Sequence, residues 1–183
     1  EEGSVLLKND NNTLPLETSE SSKAKVSVFG HSSIDIIPCG TGSADIDATD
    51  APTLKEALES RNLEVNDTLW QFYEDNRDSY QTNPKKGDQG IRTGDGTVQG
   101  VYTVNEIPWS AYSSEAKSSI SDYNDAAIVV ISRIGGEMYD IPSSLDDPQE
   151  NDDGNMLSLT YNEQELLRQV SSQFSKTIVL INS

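Results

Sequence analysis

The chain contains 183 residues, of which 13 are Lys or Arg and 31 are Asp or Glu, so its formal net charge is −18 at pH 7. A chain of this length can form one domain with a substantial core, and its single cysteine, Cys39, excludes an internal disulfide framework and any multi-cysteine zinc site. The acidic excess argues against a nucleic-acid partner, because binding to phosphates depends on clustered Lys and Arg, and no apolar run approaches the ~20 residues of a membrane-spanning segment.

Four short apolar runs predict the strands of a sheet. They cover residues 25–29, 63–65, 126–131 and 177–181. The run at 126–131 lacks alternating polar positions, which is typical of a strand buried on both faces in a parallel sheet. Helical patterns lie between the runs, and this alternation predicts right-handed crossovers. The predicted fold class is therefore α/β, a three-layer α/β/α sandwich with a mostly parallel sheet.

Three helices are predicted between the strands. One begins after Asp50, with Pro52 suited to its first turn, and has apolar residues at helical spacing within 54–58. A second begins at Thr160 and Glu163, which fit a capping box ahead of a long amphipathic pattern. The pattern at 113–120 predicts a third helix that leads into the central strand.

Two segments interrupt this alternation. Residues 82–100 hold five glycines, with Asp95-Gly96 as a candidate hairpin turn, and they predict an inserted loop or small ribbon. Residues 145–155 are rich in Asp and predict a solvated loop. Only Asn182 and Ser183 follow the last predicted strand, so we expect residues 1–183 to be a single sandwich domain that is truncated at its C-terminus.

A candidate catalytic acid follows the buried strand at 126–131. Ligands in open α/β sheets bind beyond the carboxyl ends of the strands, and the loop there contains Gly135 and Gly136 directly before Glu137. Paired glycines let the backbone turn sharply and present the following side chain outward. Glu137 is thus a candidate acid, although a loop glutamate is more often simply solvated.

Other candidate groups have weaker patterns. The glycines of 40–43 lie too far beyond the first strand to match a phosphate loop, and no Lys or Arg lies within 30–53. His31 is the only histidine, and neither it nor Cys39 lies in a nucleophile motif. The aspartates at 45, 47 and 50 do not have the spacing of a calcium loop. We therefore predict neither a metal nor a cofactor.

Several segments, taken in order, resemble one family. Residues 2–10 and 13–16 resemble the entry into the α/β sandwich domain of glycoside hydrolase family 3, the β-glucosidase and β-xylosidase group. Residues 127–140 resemble the strand and loop that deliver the acid/base glutamate of that family. Residues 26–30 are similar to the first strand of that domain, and residues 40–43 are similar to its glycine-rich loop. Residues 157–173 are similar to the helix that follows, and residues 177–183 to the next strand. The resemblance covers most of the chain except about 66–112.

The resemblance implies an active site shared between two domains. In this family a (β/α)8 barrel carries the nucleophilic aspartate and most of the sugar pocket, and either domain order occurs. Glu137 would then be the general acid/base acting on a β-glucoside, while Arg133 and Asp140 would occupy supporting, substrate-binding positions in the same loop. The barrel would be a partner in the parent chain, so the isolated chain is expected to be inactive.

Two departures from the family pattern accompany this resemblance. Met138 stands where the family often has a glycine, and the chain ends at Ser183, where the family continues. A noncatalytic, flavodoxin-like binding module with a ligand at 40–43 is an alternative function, as is an interaction domain whose acidic surface binds a basic partner. Either a cytoplasmic or a secreted bacterial location fits the sequence.

Overall fold

The computed structural model describes residues 3–36, 50–79, 90–92, 98–100, 106–133 and 157–183. The α-helices in these ranges are α1 (Leu54–Glu59), α2 (Asp67–Asp75), α3 (Ser114–Ser119) and α4 (Tyr161–Gln173). The strands are β1 (Ala24–Phe29), β2 (Leu63–Val65), β3 (Gly90–Arg92), β4 (Val98–Gly100), β5 (Ala126–Ser132) and β6 (Thr177–Asn182).

Four strands form a parallel sheet in the order β2-β1-β5-β6. Val26 of β1 pairs with Val65 on one side and with Ala126 on the other, and Ala127 of β5 pairs with Thr177 of β6. Helices flank this sheet, so the predicted α/β sandwich with a parallel sheet is confirmed. The apolar runs of the sequence lie within its four strands.

The central strand β5 is the most buried element of the sheet. All seven of its residues are buried, as its unbroken apolar sequence predicts. The core around it includes Phe29 of β1, whose ring makes an edge-on contact with Phe174 at a centroid distance of 5.7 Å. By contrast, Val179, Leu180 and Ile181 of the edge strand β6 are all exposed.

The three helices predicted from the sequence are present, and their N-terminal caps explain where they begin. The side chains of Thr53, Ser113 and Thr160 each accept a hydrogen bond from a backbone N–H of the first turn of α1, α3 and α4. Capping of this kind satisfies donors that have no partner inside the helix. The capping box predicted at 160–163 is therefore confirmed.

Helix α2 was not predicted, although the sequence carries a signal for it. Asn66 caps the helix by accepting a hydrogen bond from the backbone N–H of Leu69 at 3.1 Å. Leu69, Trp70 and Tyr73 recur at helical spacing and are buried. An asparagine cap followed by apolar residues at these intervals is a recognisable helix start.

The glycine-rich segment at 82–100 contains a small antiparallel ribbon. Strand β3 pairs with β4, with Gly90 opposite Gly100 and Arg92 opposite Val98. The predicted hairpin turn at 95–96 lies outside the described residues, as does the predicted solvated loop at 145–155.

Replacement of Gly30 by alanine should destabilise the protein because β1 and β5 approach closely where β1 ends. Gly30 has a φ of 97°, and a Cβ at this position would overlap the carbonyl oxygen of Val130. We expect Gly30→Ala to lower the free energy of unfolding by about 2–5 kcal/mol, measured by urea denaturation. Gly3→Ala is the matched control, because a Cβ there would have no neighbour within 4 Å. Equal stability of the two variants would contradict this account.

Candidate functional site

The strand order reverses between β1 and β5, and we call the carboxyl edge of the sheet at this point the crevice. The chain passes from β1 outward to β2 and then returns to β5 on the other side of β1. Ligands in open α/β folds bind at such a reversal of strand order. Gly30 follows β1 at this edge and Arg133 follows β5, so the groups around these two residues define the candidate site.

A buried carboxylate lies against the end of β1. His31 begins a short 3₁₀ turn, His31–Ser33, and its backbone N–H donates to Glu106 Oε2 at 2.7 Å. Glu106 Oε1 accepts a hydrogen bond from the backbone N–H of Ile107 at 3.0 Å. Glu106 is only 5% exposed, and its burial raises the pKa of this carboxyl to about 8. Its backbone hydrogen bonds and the nearby Glu163 act on the same group, the former lowering its pKa and the latter raising it.

Two buried tyrosines connect Glu106 back to β1. The hydroxyl of Tyr73 accepts a hydrogen bond from the backbone N–H of Gly30 at 2.8 Å and is hydrogen-bonded to the Tyr112 hydroxyl. Tyr112 in turn donates to Glu106 Oε1 at 3.3 Å. Burial raises the pKa of both tyrosines well above its ordinary value, so both keep their protons near neutral pH. The result is a hydrogen-bonded chain from Gly30 to Glu106.

Helix α4 also contacts Glu106, because a side chain of this helix binds the backbone carbonyl of Glu106. The side-chain amide of Asn162 donates to the carbonyl oxygen of Glu106 at 3.1 Å. Asn162 lies in the first turn of α4 and is buried. The segment that contains Glu106 therefore links β1, α2 and α4, which fixes the N-terminus of α4 relative to the crevice.

A buried ion pair lies where β5 ends. The guanidinium of Arg133 donates to both carboxylate oxygens of Glu163, at 2.8 Å from Nη1 and 2.7 Å from Nη2. The two side chains are only 12% and 7% exposed. The Glu163 carboxylate raises the pKa of Arg133, so this side chain is positively charged. Such a bidentate contact is strong and directional.

Arg133 also contacts two backbone carbonyls. Its Nη1 donates to the carbonyl of Ser132 at 2.8 Å, and its Nη2 donates to the carbonyl of Ser158 at 2.6 Å. Ser132 is the last residue of β5, whereas Ser158 precedes α4. One guanidinium therefore joins the end of the central strand to the start of the helix that follows it.

The structure describes one of the three candidate site residues that the sequence suggested, Arg133. Arg133, predicted in a supporting position for substrate, lies at the carboxyl edge of the sheet with its guanidinium on Glu163. Glu137 and Asp140 lie outside the described residues, as do Cys39 and the glycine-rich residues 40–43. Their proposed roles remain predictions.

Two buried acidic groups near the crevice were missed by sequence reasoning. Glu163 was recognised as a helix cap but not as a partner of Arg133, because its capping-box pattern does not reveal the ion pair. Glu106 has no motif around it that distinguishes it from the other 30 acidic residues, since the chain has 31 Asp and Glu in total. Only the three-dimensional arrangement identifies it.

The described residues have neither a metal-binding cluster nor a membrane-spanning helix. They contain no cluster of three or more His, Cys, Asp or Glu side chains arranged to hold a metal ion. In this same part of the chain, no helix is both long enough and apolar enough to span a membrane.

Comparison with known proteins relates the chain to β-glucosidases. Residues 4–183 match the family described as "Glycosyl hydrolase family 3 C-terminal domain". Beta-glucosidase A of Butyrivibrio fibrisolvens is 28% identical over 198 residues, a match that covers 99% of this chain and 21% of that protein.

Solved structures give a similar result. Beta-glucosidase 3B from Thermotoga neapolitana, in complex with glucose, is 28% identical with a TM-score of 0.61, and the match covers 97% of this chain and 22% of that one. A beta-glucosidase from Paenibacillus barengoltzii is 26% identical with a TM-score of 0.56, over 97% of this chain and 17% of that one. The chain thus spans about a fifth of the length of the relatives that it matches.

The buried Glu106 should make stability depend on pH. The pKa of this carboxyl is raised in the folded state from 4.5 to about 8, so between these values the folded protein holds a proton that the unfolded chain has lost. The stability that this group provides is complete below pH 4.5 and is lost as the pH rises through 8. Between pH 5.5 and 7.5 the wild type should lose about 2 kcal/mol more than Glu106→Gln does.

Urea denaturation at the two pH values measures this difference. Glu115→Gln is the control, since it is the same substitution at an exposed glutamate on α3. If Glu106→Gln kept the full slope of the wild type, Glu106 would be ionised in the folded protein and the account of its pKa would be wrong.

Proposed function

The chain belongs to glycosyl hydrolase family 3 as a C-terminal domain of that family, and from this we propose that it supplies the general acid/base, Glu137, to the active site of a longer retaining β-glucosidase. The substrate would be a terminal β-linked glucoside. The nucleophilic aspartate and most of the sugar pocket would belong to a (β/α)8 barrel domain of the same parent chain.

The observation that carries this proposal is the family match, which covers the chain from residue 4 to residue 183 and includes Glu137. Both the curated relative and the solved structures are β-glucosidases by name. The carboxyl edge of the sheet adds support, because Arg133 lies at the reversal of strand order and Glu137 is the fourth residue after it. A residue only four positions after Arg133 along the chain would be able to reach a ligand held there by a neighbouring domain.

The chemistry needs two carboxyl groups on opposite sides of the scissile bond. In the first step the aspartate attacks the anomeric carbon, the glycosidic bond breaks, and the carboxylic acid of Glu137 gives its proton to the departing oxygen. In the second step the Glu137 carboxylate takes a proton from water, whose oxygen attacks the anomeric carbon and releases the aspartate. One residue serves first as acid and then as base.

A site divided between two domains would also meet the need for Glu137 to be protonated when it acts as the acid. Glu137 must hold a proton near neutral pH, so its pKa must be raised by removal from water or by a neighbouring carboxylate. A barrel domain that covers the crevice would provide both. Separate domains would thus form a working acid only when they are assembled.

Removal of Glu137 should slow the reaction in proportion to the leaving group's need for a proton. In the full-length enzyme, Glu137→Ala should lower kcat/KM about 100-fold or more for alkyl glucosides and far less for dinitrophenyl glucoside. Added azide should restore turnover of the dinitrophenyl substrate with formation of glucosyl azide, because azide needs no base. Steady-state kinetics and product analysis measure both effects.

Glu115→Gln, on the surface of α3, is the control and should leave these rates unchanged. An equal loss for all leaving groups, or no loss, would contradict the role of Glu137. If Glu137→Ala left kcat/KM unchanged for every substrate, the chain would instead be better explained as a noncatalytic binding module.

The chain alone should have no measurable glycosidase activity, because it would lack the nucleophile. Incubation of residues 1–183 with dinitrophenyl glucoside should release dinitrophenol at the rate of the blank. The free energy of unfolding of the same sample serves as the control for folding. Robust hydrolysis by the folded chain would refute a site shared with a second domain.

A further inference from the structure

We propose that Arg133 and Glu163 form a positioning pair that fixes the two ends of segment 134–156, and through them the acid/base Glu137. This inference rests on the proposed function, because it assigns Arg133 a role in the same site. Arg133 would act through Glu163 and the backbone rather than by binding the sugar.

Arg133 joins the end of β5 to the residues that precede α4. Its guanidinium binds the last residue of β5 through the carbonyl of Ser132, and it reaches the far end of the segment through the carbonyl of Ser158. The backbone N–H of Arg133 also donates to the carbonyl of Asn182 at 3.0 Å, which continues the pairing of β5 with β6. The near end is therefore held by the sheet.

The far end is held by the N-terminus of α4. Glu163 Oε2 accepts a hydrogen bond from the backbone N–H of Thr160 at 2.8 Å in addition to the one from Arg133. The N–H of Glu163 in turn donates to Thr160 Oγ1 at 3.2 Å. The carboxylate thus has its rotamer fixed from two directions, and Arg133 contacts a partner that is already held in place.

The capping boxes of α1 and α4 differ in whether an arginine binds the capping glutamate. Helix α1 has the same capping box, in which Thr53 and Glu56 exchange hydrogen bonds. Glu56 is exposed, and in the described part of the chain no basic side chain forms an ion pair with it. A capping box therefore completes a helix without an arginine, so the Arg133 contact at Glu163 does something more than cap α4.

Burial explains why this contact would be specific rather than merely stabilising. An ion pair taken out of water contributes little net stability, but it strongly disfavours arrangements in which either charge loses its partner. Glu106, His31, Tyr73 and Tyr112 are the titratable groups packed nearby, and Glu163 raises the pKa of Glu106. Without Arg133, the Glu163 carboxylate would lose its ion-pair partner while it lies near a second buried carboxyl group, that of Glu106.

The test uses the full-length enzyme with the variants Arg133→Met, Glu163→Gln and the double variant. Positioning predicts that each single variant lowers kcat/KM for alkyl glucosides about 10- to 100-fold, since small displacements of a reacting group have effects of this size. The loss for dinitrophenyl glucoside should stay within about 3-fold, because this substrate needs no acid. The double variant should be little worse than either single one.

Glu56→Gln is the matched control, because it removes a capping-box carboxylate that lacks an arginine, and it should change neither rate. If Arg133→Met does not fold, Arg133→Lys and Glu163→Gln provide the same comparison. Arg133→Lys should recover part of the loss, since it keeps the charge but not the bidentate contact. Thermal unfolding of each variant is recorded in parallel.

The outcomes distinguish the two proposals. An equal loss for both substrates with a raised KM would mean that Arg133 binds the sugar, and unchanged rates would mean that the pair is only structural; either result overturns the positioning role. If Glu137→Ala keeps its leaving-group signature in those cases, the proposed function survives. If Glu137→Ala lacks that signature, both proposals fail together.

Discussion

Burial of β5 at the centre of the sheet determines where the groups at the carboxyl edge of the sheet lie. Its seven residues are all buried, and it pairs with β1 over residues 126–129 on one side and with β6 over residues 127–132 on the other. The close approach of β1 explains why glycine is required at position 30. A strand that cannot move gives Arg133, the residue directly after it, a fixed place at the edge where α/β folds bind ligands.

Polar groups at that edge are buried and connected rather than left in water. Glu106 accepts one backbone hydrogen bond from His31 and is linked to the tyrosine pair, while Glu163 binds Arg133. Buried polar groups are costly unless they are satisfied, and networks of them specify one arrangement of the elements that they join. In this molecule they join β1, α2, β5 and α4 around the crevice, where the proposed reaction requires an acid to be held within a few tenths of an ångström.

The sequence predicted the elements whose signals are local. The unbroken apolar run of β5 indicated a strand buried on both faces, and Thr160 with Glu163 indicated the start of α4. Helix α2 was missed because its signal is short and begins with Asn66 directly after β2. The role of Glu106 could not be predicted at all, because its burial and its raised pKa depend on residues that lie far away in sequence, such as Glu163. The position of Glu137 was expected from the family resemblance and stays a prediction.

The most direct measurement is a crystal structure of the full-length enzyme with an uncleaved glucoside analogue. The account predicts that the carboxyl of Glu137 lies within about 3.2 Å of the glycosidic oxygen. It also predicts a distance of about 5–5.5 Å between this group and the carboxylate of the nucleophile in the barrel. A Glu137 side chain turned into the interior of its own domain, or held beyond hydrogen-bond reach of any bound sugar, would contradict it.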